Sequence, residues 1–382
     1  MIRRMRASAS ISVLATAFLF LLLGDGSNAD IVRAKAAQPA KIVFVDVGQG
    51  DGVAMKIGSK IIVSDAGEFE FENMNDALKV LGAKRIDVAI LSHPHEDHVK
   101  NFIDLFAQWQ VKKAVMSRSA YWQGTQTNRA VMAAIKNEGL TPTYVHAGQK
   151  FTWGGASWQI VNPPQGQFTG GSGDAANSSV AYLLRVNGVE ALFTGDIEEK
   201  VSIDVASRLP KLDGRLEVFL VTHHGSKYAS PTELLDLTRP RFAVLSVGPN
   251  SYGHPTPETI ARLKAVPATI WCTDANGSTT LSMSTSGKLT WSASATKVPW
   301  WSASTKKQTG VCVGQSPTAT PPPTGPPPTG KCDPNYAGAC VPPYPPDLDC
   351  ADLRALGLAL PVRVVGSDPH RLDGDGDGLG CE

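Results

Sequence analysis

The chain of 382 residues has almost no net charge, with 36 Lys+Arg against 35 Asp+Glu and a formal +1. That excludes a whole-protein basic field of the kind that coats nucleic acid or a membrane surface. Aromatic residues are sparse at 7%, and no evident basic and aromatic strip makes a platform for single strands. Trp109, Lys112, Lys113, Arg118, Tyr121 and Trp122 form the one candidate. The apolar run near the start, Ile11 to Leu23, has 13 residues, short of the ~20 that a spanning helix needs. No internal repeat is present, which argues against a solenoid or propeller. What remains, 42% hydrophobic and 19% charged, supports a sizeable core in one large domain with a smaller one beside it.

The ends differ in composition. Residues 1–29 run from Arg3, Arg4 and Arg6 through the apolar stretch to the small-residue exit at Ala29, the pattern of a signal peptide cleaved before Asp30. No Cys follows the run, which argues against a lipoprotein. The expected product is exported, either secreted or associated with the cell envelope. Residues 315–330, rich in Pro, Thr and Gly, have no side chains for a core and form an extended linker. Residues 331–382 hold Cys332, Cys340, Cys350 and Cys381, a density that substitutes disulfides for a large core. Spacing suggests Cys332 with Cys340 and Cys350 with Cys381, among three possible connectivities. Cys272 and Cys312 remain as a possible pair in the large domain, residues 30–314.

The tail closes on LDGDGDGLGCE. Asp373, Asp375 and Asp377 alternate as hard oxygen donors, Gly378 permits a sharp turn, Leu379 offers a carbonyl and Glu382 closes the shell, a Ca²⁺ signature. Residues 349–382 resemble the Excalibur domain, an extracellular calcium-binding module with a DxDxDGxxCE ending.

Between the ends, short apolar runs alternate with amphipathic stretches. Strands are predicted at 42–47, 54–57, 60–64, 86–91, 182–186, 190–194, 219–221, 242–247 and 270–273, and helices at 73–81 and 98–108. Asn187 and Gly188 mark a tight hairpin. The domain is therefore α/β with hairpins, unlike an all-parallel sheet.

Chemistry concentrates at strand ends. LSHPHEDH supplies His93, His95, Asp97 and His98 within six residues, and neutral imidazoles with a carboxylate suit Zn²⁺ or a similar divalent ion. Asp196 in FTGD ends a later strand, His223 and His224 follow in VTHHGS, and His254 lies in SYGHP. These motifs, with Asp65 in SDAGE, resemble the metallo-β-lactamase superfamily. FVDVGQGDG, SHPHEDH, the NSS of Asn177 to Ser179, FTGDIEEK, THHGSKYAS, SVGPNSYGHP and CTDANG further resemble the hydrolase domain of the ComEC competence proteins. The resemblance implies a four-layer αβ/βα sandwich with its metal site at the edge of two sheets.

The chain departs from that pattern in three ways. The His expected between HxHxDH and the late Asp is missing, with only His146 in the interval and DAANSS in its place. The first metal site would then be completed by Asp196 and water, or be filled by Mn²⁺ in place of Zn²⁺. Lys100 and Asn101 replace the two glycines usual after DH. The competence proteins' membrane channel is absent from the pattern.

The expected site assigns His93 and His95 to one ion, and Asp97, His98 and one HHGS histidine, preferably His223, to the other. Asp196 bridges them. The remaining His224, with Ser226, Lys227, Asn177 and His254, would hold substrate oxygens or move a proton. The leading expectation is an exported phosphodiesterase, a nuclease acting on extracellular DNA, with two Zn²⁺ or Mn²⁺ ions and a calcium-binding tail. Its rivals are a hydrolase of envelope phosphodiesters, lactones or β-lactams, and a non-enzymatic, calcium-dependent envelope-binding protein. Charge follows the division: residues 30–330 carry +4 and 331–382 carry −5.

Overall fold

The computed structural model describes residues 38–166, 168 and 172–295, and parts of 301–312 and 332–381. The expected leader, the linker, Cys350 and the calcium donors Asp373, Asp375, Asp377 and Glu382 lie outside the described residues.

The strands are β1 (Ala40–Phe44), β2 (Gly52–Ile57), β3 (Lys60–Ala66), β4 (Val88–Leu91), β5 (Ala114–Met116), β6 (Thr143–Tyr144), β7 (Lys150–Trp153), β8 (Ala156–Asn162), β9 (Ala181–Val186) and β10 (Val189–Phe193). They continue with β11 (Val218–Leu220), β12 (Phe242–Leu245), β13 (Thr269–Cys272), β14 (Thr279–Met283), β15 (Leu289–Ala293), β16 (Trp301–Ser302), β17 (Lys307–Gln308), β18 (Tyr336–Ala337), β19 (Val362–Val364) and β20 (Leu379–Gly380). One sheet runs β15-β14-β1-β2-β3-β4-β5-β6 and a second β17-β16-β13-β12-β11-β10-β9-β8-β7.

Period-two alternation decides the layers. In β1, Ile42 and Phe44 point between the sheets while Val43 points outward; in β4, Val88 and Ile90 face inward and Ala89 and Leu91 outward. The second sheet repeats this, with Ala191, Phe193, Val218 and Leu220 inside and Leu192 and Phe219 outside. Both faces of each sheet are apolar, so each needs a cover. Helices Phe71–Val80, Phe102–Gln108 and Gln126–Asn137 contribute Met74, Leu78, Phe102, Leu105, Val131 and Ile135 to the first outer layer. Helices Glu199–Arg208, Thr232–Thr238 and Pro257–Ala265 contribute Val205, Leu234, Leu235, Ile260 and Leu263 to the second. Each such fully buried aliphatic side chain contributes roughly 1.5–3 kcal/mol. The result is the four-layer sandwich.

The Asn187–Gly188 hairpin joins β9 to β10 with φ of 53° and 76°, the left-handed pair that a two-residue turn requires. The Asn187 amide donates to Gln38 O and Ser284 O, tying that turn to the first sheet. The helix expected at 98–108 is broken in two, Glu96–Val99 and Phe102–Gln108. At the break, Asn101 donates its backbone N–H to Gly67 O and its side-chain amide to Ala66 O and Phe69 O. Gly67 N–H in turn donates to His98 O, so the close backbone approach survives without glycines after DH.

The tail is described by itself. Strands β18, β19 and β20 form a three-stranded antiparallel sheet around Tyr336, Val341, Leu348, Leu353, Val362, Leu372 and Cys381. Leu379 pairs with Arg363. Cys332 is bonded to Cys340 and Cys272 to Cys312, and Cys381 is disulfide-bonded to a partner outside the described residues. No helix among the described residues is long and apolar enough to cross a membrane.

Candidate metal centre

Parallel strands deliver their C-terminal ends to one edge, and β3, β4, β10, β11 and β12 all deliver a candidate residue there. Asp65 ends β3, His93 and His95 follow β4, Asp196 follows β10, His223 and His224 follow β11, and His254 follows β12. The antiparallel turn from β1 to β2 brings Asp51 to the same edge.

The residues converge. His98 Nε2 lies 3.2 Å from His224 Nε2 and 3.2 Å from Asp196 Oδ1. His224 Nε2 is 3.4 Å from Asp196 Oδ2 and 3.3 Å from Asp97 Oδ2. His93 Nε2 is 3.0 Å from His95 Nδ1 and 3.8 Å from Asp196 Oδ2. Two overlapping groups result, Asp51, His98, Asp196 and His224 in one and His93, His95 and Asp196 in the other, each with its ligand atoms within 4.8 Å of one another. Asp196 belongs to both.

The chemistry of this donor set calls for cations. Asp65 Oδ2 takes the Nδ1 proton of His98 at 2.9 Å, and the Ser246 carbonyl takes that of His224 at 2.9 Å. Both rings are thereby committed to the Nδ1–H tautomer, so in neutral form their Nε2 lone pairs would face each other. Only positive charge between them relieves that contact. Asp51 Oδ1 is a buried carboxylate oxygen without a hydrogen-bond partner among the described residues, and such an oxygen suits a hard or borderline ion. These residues therefore fit a divalent metal, and Asp65 and Ser246 orient the ligands as a second layer does.

Protonation behaviour divides the histidines. Burial would depress His98 and His224, but Asp196 raises both, joined by Asp97 at His98, and holds them well above the usual range. Burial lowers His223 to about 4, and burial with the neighbouring His223 lowers His254.

Several expectations land elsewhere. His224, expected in a substrate role, stands in a candidate group with Asp51, His98 and Asp196, whereas His223, the expected ligand, is in neither group and has its Nε2 3.6 Å from Asp196 Oδ2. Both residues adopt φ of 52°, and two consecutive left-handed residues swing the second ring inward, a reversal that proximity to the strand end does not reveal. His254 is outside both groups and meets His223 edge-on at 5.6 Å. Asn177 is engaged with Glu198, accepting its N–H at 2.9 Å. Lys227 places its ammonium 4.9 Å from the Tyr228 ring. His146 bonds Ala147 O. Where another ligand histidine was expected, Ser178 and Ser179 donate to Ala175 O and Ala176 O, and Ser179 Oγ accepts the Asp196 N–H. Of the aromatic and basic strip, Trp122 is buried and Trp109 donates to Asn75; Tyr121 alone touches the site, edge-on to His95 at 6.1 Å. Asp51 is the residue that sequence reasoning missed. Its signal was an acid in the glycine-rich turn DVGQGDG. Gly50, φ 125°, packs so closely on Asp97 that a Cβ would lie 2.0 Å from Asp97 O.

A helix clamps the HHGS loop from behind. Arg262 donates to the carbonyls of Lys227, Ala229 and Ser230 at 2.9–3.1 Å, Thr259 to Ser226 O at 2.7 Å and Thr256 to Gly225 O at 3.2 Å. These bonds hold a segment whose left-handed residues cost of order 1–2 kcal/mol each.

The chain is 23% identical over 260 residues to ComE operon protein 3 of Bacillus subtilis, covering 62% of this chain and 32% of that protein. It is 26% identical over 246 residues to competence protein ComA of Neisseria gonorrhoeae, covering 63% and 32%. The chain thus spans about a third of the length of these relatives. Among solved structures it is similar to Igni18, a metallo hydrolase from Ignicoccus hospitalis, with TM-score 0.41, 13% identity and coverage of 63% and 98%. It is also similar to the metallo-β-lactamase fold protein YhfI of Bacillus subtilis, with TM-score 0.41, 11% identity and coverage of 64% and 99%. Residues 45–248, just over half of the chain, match the metallo-beta-lactamase superfamily, and the chain belongs to that family.

Proposed function

We propose that this metal-dependent hydrolase is an exported phosphodiesterase, a nuclease acting on extracellular DNA. The observation that carries the reading is the pair of facing Nε2 atoms of His98 and His224 beside Asp196, fixed by Asp65 and Ser246. His98, His224, Asp196 and Asp51 would hold one divalent ion, with Asp97 at their open side, and His93, His95 and Asp196 a second. Zn²⁺ or Mn²⁺ suits the set. Such ions, when bound, activate water near neutral pH and offset charge on phosphoryl oxygens.

The chain's own residues supply the rest. His223 and His254, kept neutral by burial, offer hydrogen bonds to a substrate oxygen. The similarity to competence proteins supports DNA, and the serines in place of another ligand histidine count against a β-lactamase. The Arg-rich start and apolar run of residues 1–29 support export, and the DGDGDG ending supports a calcium-binding, Excalibur-like tail that would dock on the envelope.

The test is metal analysis of the purified protein, then assay of linear DNA, bis-(p-nitrophenyl) phosphate and nitrocefin with Mn²⁺ and Zn²⁺. DNA and the diester are expected to be cleaved. Nitrocefin turnover without DNA turnover would overturn the nuclease, and absence of both metal and turnover would overturn the enzyme. For the tail, Asp375→Ala is expected to abolish Ca²⁺ binding, and unchanged affinity refutes it.

A further inference from the structure

Aromatic residues are scarce, yet the exposed ones gather on one edge. Among the described residues the exposed aromatic side chains are Phe69 (50%), Tyr144 (37%), Tyr228 (39%) and Tyr252 (60%). Phe69 lies just beyond β3, Tyr144 ends β6, Tyr228 follows His224, and Tyr252 precedes His254 after β12. All four therefore belong to the metal edge. The exposed large residues of the outer helices, Val80, Ile203 and Leu237, are aliphatic.

Two rings approach the histidines of this edge from opposite halves of the sandwich, one beside a candidate ligand and one beside the pair His254 and His223. Tyr121, after β5, stands edge-on to His95 at 6.1 Å. Tyr252 lies 5.7 Å from His254, which meets His223 at 5.6 Å. Cations accompany the rim: the Arg118 guanidinium is 4.7 Å from the Tyr144 ring and the Lys227 ammonium 4.9 Å from that of Tyr228. A single exposed aromatic is ordinary. Among the described residues the exposed aromatic side chains all lie at the edge that holds the metal centre, and two of them have a cation over the ring, a placement that packing alone does not explain.

We infer that Tyr121 and Tyr252 are stacking subsites for unpaired nucleobases on either side of the scissile phosphodiester, with Arg118 and Lys227 taking the neighbouring phosphates. The inference rests on the phosphodiesterase reading and narrows its substrate to a single-stranded oligonucleotide. Polyol phosphates of an envelope have no ring to stack. Base–aromatic stacking tolerates any sequence because every base has a π-face, as a scavenging nuclease would need.

The experiment is fluorescence anisotropy of the full chain, metal-loaded, with a short hydrolysis-resistant phosphorothioate oligothymidylate and an abasic strand of equal length. The oligothymidylate is expected to bind about tenfold tighter or more. Tyr252→Ala and Tyr121→Ala should each remove a large part of that preference without changing affinity for the abasic strand, and Tyr252→Trp should restore it. Arg118→Ala and Lys227→Ala should weaken both strands and flatten the salt dependence. Equal affinity of the unaltered protein for the two strands, Tyr252→Ala weakening both alike, or preference for a duplex overturns the inference. Hydrolysis of bis-(p-nitrophenyl) phosphate separates the two levels. Turnover without base-dependent binding removes the stacking subsites and leaves the phosphodiesterase; base-dependent binding without turnover does the reverse.

Discussion

The two halves of the sandwich reach the metal edge by different routes. The first half places His93, His95, Asp97 and His98 in six consecutive residues, on one turn from β4 into a short helix. The second half assembles Asp196 from the loop after β10 and His224 from the loop after β11, and it directs His224 inward only through two left-handed residues. Each half also has its own brace. Asp65 fixes His98 by a carboxylate, and Ser246 fixes His224 by a backbone carbonyl. One run of sequence therefore supplies most of the first half's donors, whereas the second half draws its donors from separate loops.

Asp196 joins the halves, so its loss should have the largest effect. Asp196→Ala is expected to empty both metal positions and lower turnover by about a thousandfold or more, the equivalent of several kcal/mol. Metal analysis and the diester assay check it; retention of two ions would separate the halves. Within the second half, His224→Ala should cost about a hundredfold or more in activity, with loss of metal. His223→Ala should keep the metal and cost less, and the opposite order would return the ligand role to His223.

The braces test the halves separately. Asp65→Asn should reduce metal affinity by about 10–100-fold, read by competition with a chromogenic chelator, while leaving the HHGS loop unchanged. Arg262→Met leaves three carbonyls without their donor, and a stability loss of about 1–3 kcal/mol is expected in denaturant unfolding. That variant should disturb His224 and spare His93 and His95, which spectra of the Co²⁺-substituted protein would resolve. The smallest effect is that of pH on the metal-free chain. His98 and His224 have folded-state pKa values raised above the unfolded value. Their contribution is therefore complete below about pH 6.5 and is lost as pH rises through the folded values. The metal-free protein should melt at a lower temperature at alkaline pH than near pH 6.5. Bound metal displaces those protons, so metal affinity should rise with pH over the same range.

Much of the first half was legible in the sequence. A dense run of His and Asp after a β-branched apolar strand has few uses, and the apolar run at 86–91 reads directly as a strand. The second half was less so. Asp196 announced itself at a strand end, but the choice between His223 and His224 depended on φ angles that neither residue type favours. Asp51 was hidden because its partners lie at residues 98, 196 and 224. The break at Asn101 escaped notice because its cause, carbonyls at Ala66 and Phe69, is remote in sequence. The strip from Trp109 to Trp122 failed because proximity in sequence does not place side chains on one surface: Trp122 is in the core and Tyr121 is at the site.

The sequence by itself determined the α/β alternation and the kind of chemistry gathered at strand ends, because periodicity and ligand type are local properties; the sandwich and its metal edge came from the resemblance of its motifs to a known family. Only the tertiary structure decided which ring of HHGS joins the donors, that Asp51 joins them, and where the exposed tyrosines lie. Those choices depend on backbone dihedrals and contacts between residues tens to hundreds of positions apart, which no window of sequence contains.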